Sequence, residues 1–225
     1  MIRKTFESDI QQVKDEVLAL GSMVEHAIIS SVEALKKRDI KAAEKIIAED
    51  KEINKKRFAI ENQLMILIAT QQPMAHDLRL LASTMEIISE LERMGDYAKG
   101  IAIINLRSGG LSLPKILEDL EYMANHAVDM LHRSLTAFIE LDVDAAHQIA
   151  FEDNVVDSLY EQVYYEVMDF VIENPSQMER ANFVLWSAHN IERLADRVTN
   201  ICERIVFVAT GQMQPVEEMT QKSPM

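Results

Sequence analysis

The apolar residues of this chain recur at steps of three and four along nearly its whole length, and the clearest run is Val184, Ala188, Ile191, Ala195, Val198, Cys202 and Ile205. Such a period sets them on one stripe of an α-helix, whereas a half-buried strand would alternate residue by residue. Sustained alternation occurs nowhere, so the pattern predicts an all-α chain. Its interruptions carry recognisable punctuation. Asp39 and Asp142 stand where an N-cap would open a helix, and Lys36, Lys37 and Arg38 suit the end of the preceding one through the helix dipole. Pro73 and Asn174-Pro175 mark the next breaks, because proline is favoured at the first position of a helix. Gly109-Gly110 and Pro114 separate two halves, and Gly211 with Pro215 closes the last helix ahead of a polar tail. Six helices result, at 5–37, 40–71, 74–107, 114–140, 143–173 and 176–210. Helices of about 30 residues exceed the ordinary globular length, and antiparallel, coiled-coil-like packing is the usual way to bury their stripes.

The polar positions repeat at a longer interval. Met23-Val-Glu-His26-Ala27 matches Met123-Ala-Asn-His126-Ala127 at a shift of 100, and Glu92-Arg-Met-Gly-Asp96 matches Glu192-Arg-Leu-Ala-Asp196 at the same shift. The segment Asp39 to Asp50 matches Asp142 to Asp153 at a shift of 103. The chain is a tandem duplication, and a unit of this size is a small domain, not a solenoid repeat of roughly 20–50 residues. The predicted architecture is two pseudo-symmetric tandem three-helix bundles of long antiparallel helices, at 1–109 and 110–212, followed by a polar C-terminal tail at 213–225.

Candidate chemistry lies in four pairs spaced i, i+4: Asp50 with Asn54, Glu92 with Asp96, Asp153 with Asp157, and Glu192 with Asp196. On a helix each pair shares a face, separated by about 6 Å along the axis. If the helices fold back at the prolines, depth from the hinge decides what meets. The midpoints of the first two pairs lie 21 residues before and 21 after Pro73, and those of the second two lie 20 before and 19 after Pro175. Both hairpins bring their pairs level. Asp50 and Asp153 also fall on otherwise apolar seams, where a lone carboxylate costs several kcal/mol unless a cation or several hydrogen bonds offset it. Glu92, Asp96, Glu192 and Asp196 sit on the shoulder of their stripes, about 100° round. The pattern predicts one carboxylate-rich metal site per half. With oxygen as nearly the only donor, it suits hard cations such as magnesium, manganese, calcium or iron better than structural zinc. The competing expectation is solvated acids paired with Arg93, Arg193 and nearby lysines, which is ordinary for any single pair.

Composition narrows the partners. A formal charge of −14 disfavours nucleic acid, whose affinity comes largely from Lys and Arg, and suits cations or basic patches on other proteins. No segment is expected to approach the roughly 20 apolar residues of a membrane span or to form a secretory leader, so the chain reads as cytoplasmic without direct membrane insertion. The single cysteine, Cys202, excludes an internal disulfide and reads as core packing. His26 and His126 are read as partly buried histidines with satisfied hydrogen bonds, and Asp129-x-x-His132 and Asp144-x-x-His147 as surface. No phosphate loop or nucleophile constellation is legible, so no catalytic residue is assigned.

The run Gln72-Pro73-Met74-Ala75-His76-Asp77-Leu78-Arg79, with Leu91 to Asp96, Asp50-Lys-Glu-Ile-Asn54 and Ile191 to Asp196, resembles the PhoU family of phosphate-uptake regulators over nearly the whole chain. The resemblance implies two pseudo-symmetric three-helix bundles whose Glu/Asp-x-x-x-Asp motifs bind metal ions, with iron, manganese, magnesium or zinc as the expected cofactor. It also implies a non-enzymatic, cytoplasmic and often homodimeric protein. Such a protein restrains phosphate uptake by acting on the ATPase of a phosphate ABC transporter or on a phosphate-sensing histidine kinase. Asn54 stands where the family usually has an acid, which predicts weaker metal binding in the first half. The alternatives are a carboxylate-bridged di-iron enzyme or metal-storage protein, whose usual paired Glu-x-x-His motifs are missing from the sequence, and a helical scaffold whose acids are only solvated charge.

Overall fold

The computed structural model describes residues 2–108, 114–213 and 215. Helices α1 (Ile2–Lys37), α2 (Ile40–Gln71), α3 (His76–Arg107), α4 (Pro114–Glu140), α5 (Val143–Glu173) and α6 (Met178–Thr210) carry the chain, with a 3-10 turn at Pro175–Gln177. No strand occurs among the described residues, and the predicted helix ends are met to within three residues. Two starts shift for local reasons. At the first hinge Gln72 and Ala75 take φ of 48° and 47°, so α3 opens only at His76. At the second, Pro175–Gln177 winds as a 3-10 turn before α6 begins at Met178. Of the expected polar tail, only Met213 and Pro215 are described; its remainder, with Gly109 and Gly110, lies outside the described residues.

The α1–α2 and α4–α5 connections are built alike. Arg38 and Leu141 take φ of 57° and 56°, the left-handed conformation that ends a helix by turning the chain out of it. The N–H groups of the following Asp39 and Asp142 donate back to the carbonyls of Ala34 and Ala137 at 2.9 and 3.0 Å. Their carboxylates then cap the next helix, accepting from the N–H of Ala42 at 3.0 Å and of Ala145 at 2.9 Å.

Packing places α1, α3, α6 and α4 in a closed ring in which each helix lies along two others, while α2 fills the groove between α1 and α3 and α5 the groove between α4 and α6. Each half is a three-helix bundle, and one hydrophobic core runs through all six helices. The inner helices are buried over broad faces: α6 alone buries Ala181, Val184, Ala188, Ile191, Leu194 and further residues down to Val208. The outer α2 buries only a seam of Ala43, Ile46, Asp50, Ile53, Ile60, Leu64 and Leu67. Between the halves, α1 and α4 approach closely at Gly21, where an added Cβ would force the Leu135 side chain to move. The α3–α6 contact has a pseudo-twofold: Asn200 Nδ2 donates to Glu90 Oε2 at 3.2 Å, and in the mirrored pair a Cβ on Gly100 would lie 3.1 Å from Asn190 Nδ2.

One sequence expectation is corrected. Among the described residues α1 is the one helix long and apolar enough, by length and composition, to cross a membrane. A core helix passes the same test, and the α1 stripe of Val13, Val17, Leu20, Val24, Ile28 and Val32 is buried within the shared core.

Candidate functional site

Each hairpin brings its acids level, as the distances from the prolines require. In the first half Asp50 lies on the α2 seam with its side chain 6% exposed. Its Oδ2 accepts from Lys99 Nζ of α3 at 2.7 Å and from Asn54 Nδ2 at 3.3 Å. The Asn54 amide also donates to the Asp50 carbonyl at 3.1 Å, one turn back. Lys99 Nζ reaches Asp96 Oδ1 at 3.8 Å, so a single ammonium spans α2 and α3. Burial holds the Glu92 carboxyl above its ordinary range, and Asp96 and Asp50 add to that while Arg57 opposes it. Asp50 Oδ1 is buried without a hydrogen-bond partner, and Asp50 lines a cavity of about 250 Å³ together with Met23, His26 and Ala27 of α1, Ile53 of α2 and Gly95 of α3.

The second half brings together Asp153 and Asp157 of α5 with Glu192 and Asp196 of α6. Burial raises the Asp153 carboxyl to about 7, and the charges of Asp157, Asp196 and Glu192 push in the same direction. Asp157 is raised by burial and by Asp196. Glu192 is raised by burial and Asp196, with His189 opposing. Asp153 Oδ1 and Glu192 Oε2 are buried without hydrogen-bond partners. His189 Nδ1 stands 3.2 Å from Glu192 Oε2, outside hydrogen-bonding geometry, and Arg197 Nη2 stands 3.9 Å from Asp196 Oδ2. Among the described residues no lysine or arginine hydrogen-bonds to any of these four acids.

The arginines of the repeated motif make their hydrogen bonds elsewhere and act on the glutamates beside them only as nearby charges. Arg93 Nη1 donates to Glu90 at 2.7 Å, and Arg193 Nε donates to the Tyr97 hydroxyl at 2.9 Å across the α3–α6 contact. The lysine pairing expected of solvated acids is met in the first half through Lys99, while in the second Asp157 is exposed and Arg197 stands beside Asp196 without a hydrogen bond. Among the described residues no three His, Cys, Asp or Glu side chains stand ready to hold one ion, so each set of acids is a charged strip and not a preformed cage. The donor chemistry of the second strip nevertheless fits a hard cation: four carboxylates, two orphaned buried oxygens and no hydrogen-bonded cation. The weaker candidates fall away. His26 is exposed beside Ser30, His132 faces Glu25 at 3.3 Å and Asp129 pairs with Arg133 at 2.8 Å. Three histidines depart from expectation: His26 is exposed and not partly buried, His126 Nε2 is buried without a partner, and His147, expected at the surface, is half-buried with its Nδ1 unpartnered.

Two three-helix bundles built on one repeated plan, packed through α1, α3, α4 and α6, define a class of all-α tandem-repeat proteins. Within it, the chain belongs to the PhoU family, whose domain model matches residues 17–104 and 120–205. A phosphate-specific transport system accessory protein PhoU homolog of Clostridium acetobutylicum is 38% identical over 213 residues, covering 94% of this chain and 97% of the relative. The phosphate-specific transport system accessory protein PhoU of Escherichia coli strain K12 is 34% identical over 207 residues, covering 92% and 86%. The crystal structure of PhoU from Pseudomonas aeruginosa superposes with a TM-score of 0.86 at 28% identity, covering 92% of this chain and 100% of that one. The phosphate transport system regulatory protein PhoU from Streptococcus pneumoniae gives 0.86 at 31% identity, covering 93% and 99%.

Proposed function

We propose that this chain is a regulatory accessory protein of a phosphate-specific transport system, lowering phosphate uptake when phosphate is plentiful. The observation that carries the proposal is membership of the PhoU family along both repeats, with relatives of nearly equal length that are named as accessory proteins of a phosphate-specific transport system. It acts as a cytoplasmic homodimer on the transporter ATPase or on a phosphate-sensing histidine kinase, and as a regulator it performs no chemistry on a substrate. Its acidic surface suits basic partner patches, which it would meet by electrostatic steering.

A metal ion, of iron, manganese, magnesium or zinc type, belongs to this reading at the second strip. Asp153, Asp157, Glu192 and Asp196 would hold it, and the ion would supply the positive charge that those carboxylates lack. The residues themselves present the acids along one strip of α5 and α6, so loading would tie the two helices and change the charge of that surface.

Deleting the gene should raise intracellular phosphate or polyphosphate in phosphate-rich medium. A Glu192→Ala/Asp196→Ala variant that folds normally should lose metal and fail to restore control. Unaltered phosphate accumulation, with no transporter or kinase component co-purifying, would overturn the regulatory reading.

A further inference from the structure

The two repeats agree in backbone and disagree in charge at the acid strips. Shifted by 103 on α2 and α5 and by 100 on α3 and α6, Asp50, Glu92 and Asp96 coincide with Asp153, Glu192 and Asp196. Five neighbours do not: Asn54 answers to Asp157, Arg57 to Tyr160 and Lys99 to Thr199, while Ser89 answers to His189 and Tyr97 to Arg197, which stand 3.2 Å from Glu192 and 3.9 Å from Asp196. The first strip therefore sets three carboxylates against Arg57 and a hydrogen-bonded Lys99, and the second sets four carboxylates against Arg197 and His189, neither of which hydrogen-bonds to them. Thr199, where the second half would have its lysine, turns its hydroxyl to the Asp196 carbonyl at 2.8 Å.

We propose that Lys99 is the built-in cation of the first strip, occupying with its ammonium the position that a metal ion takes in the second, so that the protein loads metal in its second half only. This rests on the reading of the strips as cation sites, and it departs from the expectation of one metal site per half.

The geometry supports it at three points. Lys99 Nζ is 2.7 Å from Asp50 Oδ2 and 3.8 Å from Asp96 Oδ1, so it already touches acids on both helices that an ion would have to bridge. Asn54 turns its NH2 group, a donor, toward the same Asp50 oxygen, where Asp157 in the other half offers only acceptors. Asp50 has its side chain only 6% exposed, so its contact with Lys99 is less weakened by water than a surface pair would be. An incoming divalent ion must displace an ammonium tethered one turn from Asp96, or stand beside it and meet like-charge repulsion.

The test is metal stoichiometry on the full chain after exposure to magnesium, manganous, ferrous or zinc ion and removal of the free metal. Four proteins are compared: the unaltered chain, Glu192→Ala/Asp196→Ala, and that double variant combined with Lys99→Met or with Lys99→Arg. The double variant should bind no metal, addition of Lys99→Met should restore an equivalent, and Lys99→Arg, which keeps a cation in place, should restore none. Lys99→Gln serves if the methionine variant does not fold. Metal should also raise the unfolding midpoint of the Lys99→Met combination and leave that of the double variant unmoved.

The inference fails if removing Lys99 brings no gain of metal, or if the double variant with Lys99 intact still holds metal in its first half. If the unaltered chain binds no metal while the Lys99→Met combination does, Lys99 keeps its role and the metal reading of the second strip falls. If the unaltered chain loses its metal with Glu192 and Asp196 and removing Lys99 restores nothing, the second strip stands and the present inference falls.

Discussion

At the scale of the residue, the two seam aspartates show what periodicity reveals and where it stops. Asp50 and Asp153 were legible because each interrupts an apolar stripe, and a carboxylate there needs a partner. Which partner was not legible. Lys99 stands three residues after Asp96 and reads as an ordinary helix-surface pair; its reach to Asp50 depends on how α2 is rotated about its own axis, which a stripe does not fix. The absence of such a partner for Asp153 has a consequence in pH. Its folded carboxyl titrates near 7 against an ordinary 3.8, so between these values the folded chain binds protons that the unfolded chain has released. Stability from this group is present below about pH 4 and is lost as pH rises through 7. Asp157 and Glu192 shift the same way, with Glu161 and Asp196 adding negative charge and His189 and Arg193 opposing at Glu192. Chelator-treated protein should therefore lose thermal stability between pH 5 and 8, on the scale set by these shifts, and Asp153→Asn should flatten that slope. A midpoint independent of pH in both proteins would contradict this. Cys202 makes a simpler case: it lies on the α6 core face, fully buried, and burial pushes its thiol far up. A thiol reagent should label it slowly in native buffer and rapidly in denaturant.

At the scale of the element, punctuation by proline and aspartate located all six helices, because those residues act through local geometry. The turns themselves were less legible. Arg38 and Leu141 adopt the left-handed conformation without the glycine that usually announces it; the back-bonds to Ala34 and Ala137 and the caps that follow hold the turn instead. Asp39→Ala and Asp142→Ala should each remove one capping bond and cost about 1 kcal/mol. Because the sites sit in different halves without shared partners, the losses in urea denaturation should add. A cost well below this at both positions would mean that the back-bonds alone hold the turns.

At the scale of the whole molecule, two bundles could be read from the duplication, but their fusion into one core could not. The residues joining α3 to α6 lie on the same apolar periods as those facing α2 and α5, so nothing in the stripe separates a face within a bundle from a face between bundles. Glu90 is the clearest residue that sequence reasoning missed. It reads as one more surface acid, yet its side chain is 10% exposed in the α3–α6 contact. There it accepts from Arg93 Nη1 at 2.7 Å, Arg197 Nη1 at 3.4 Å and Asn200 Nδ2 at 3.2 Å. Two arginines from opposite halves thus share one carboxylate, and removing its charge leaves Arg197, itself 17% exposed, without its principal anion. Glu90→Gln should cost about 2 kcal/mol, short of the roughly 3–5 kcal/mol of a fully buried pair, because Arg93 is 55% exposed and keeps its water. Combining Glu90→Leu with Arg197→Met removes both charges and replaces them with apolar volume, so the pair should cost less than the sum of its single changes. Urea denaturation of the three variants measures this coupling. Strict additivity, or a Glu90→Gln protein as stable as the unaltered chain, would show that the halves are held by their apolar faces alone.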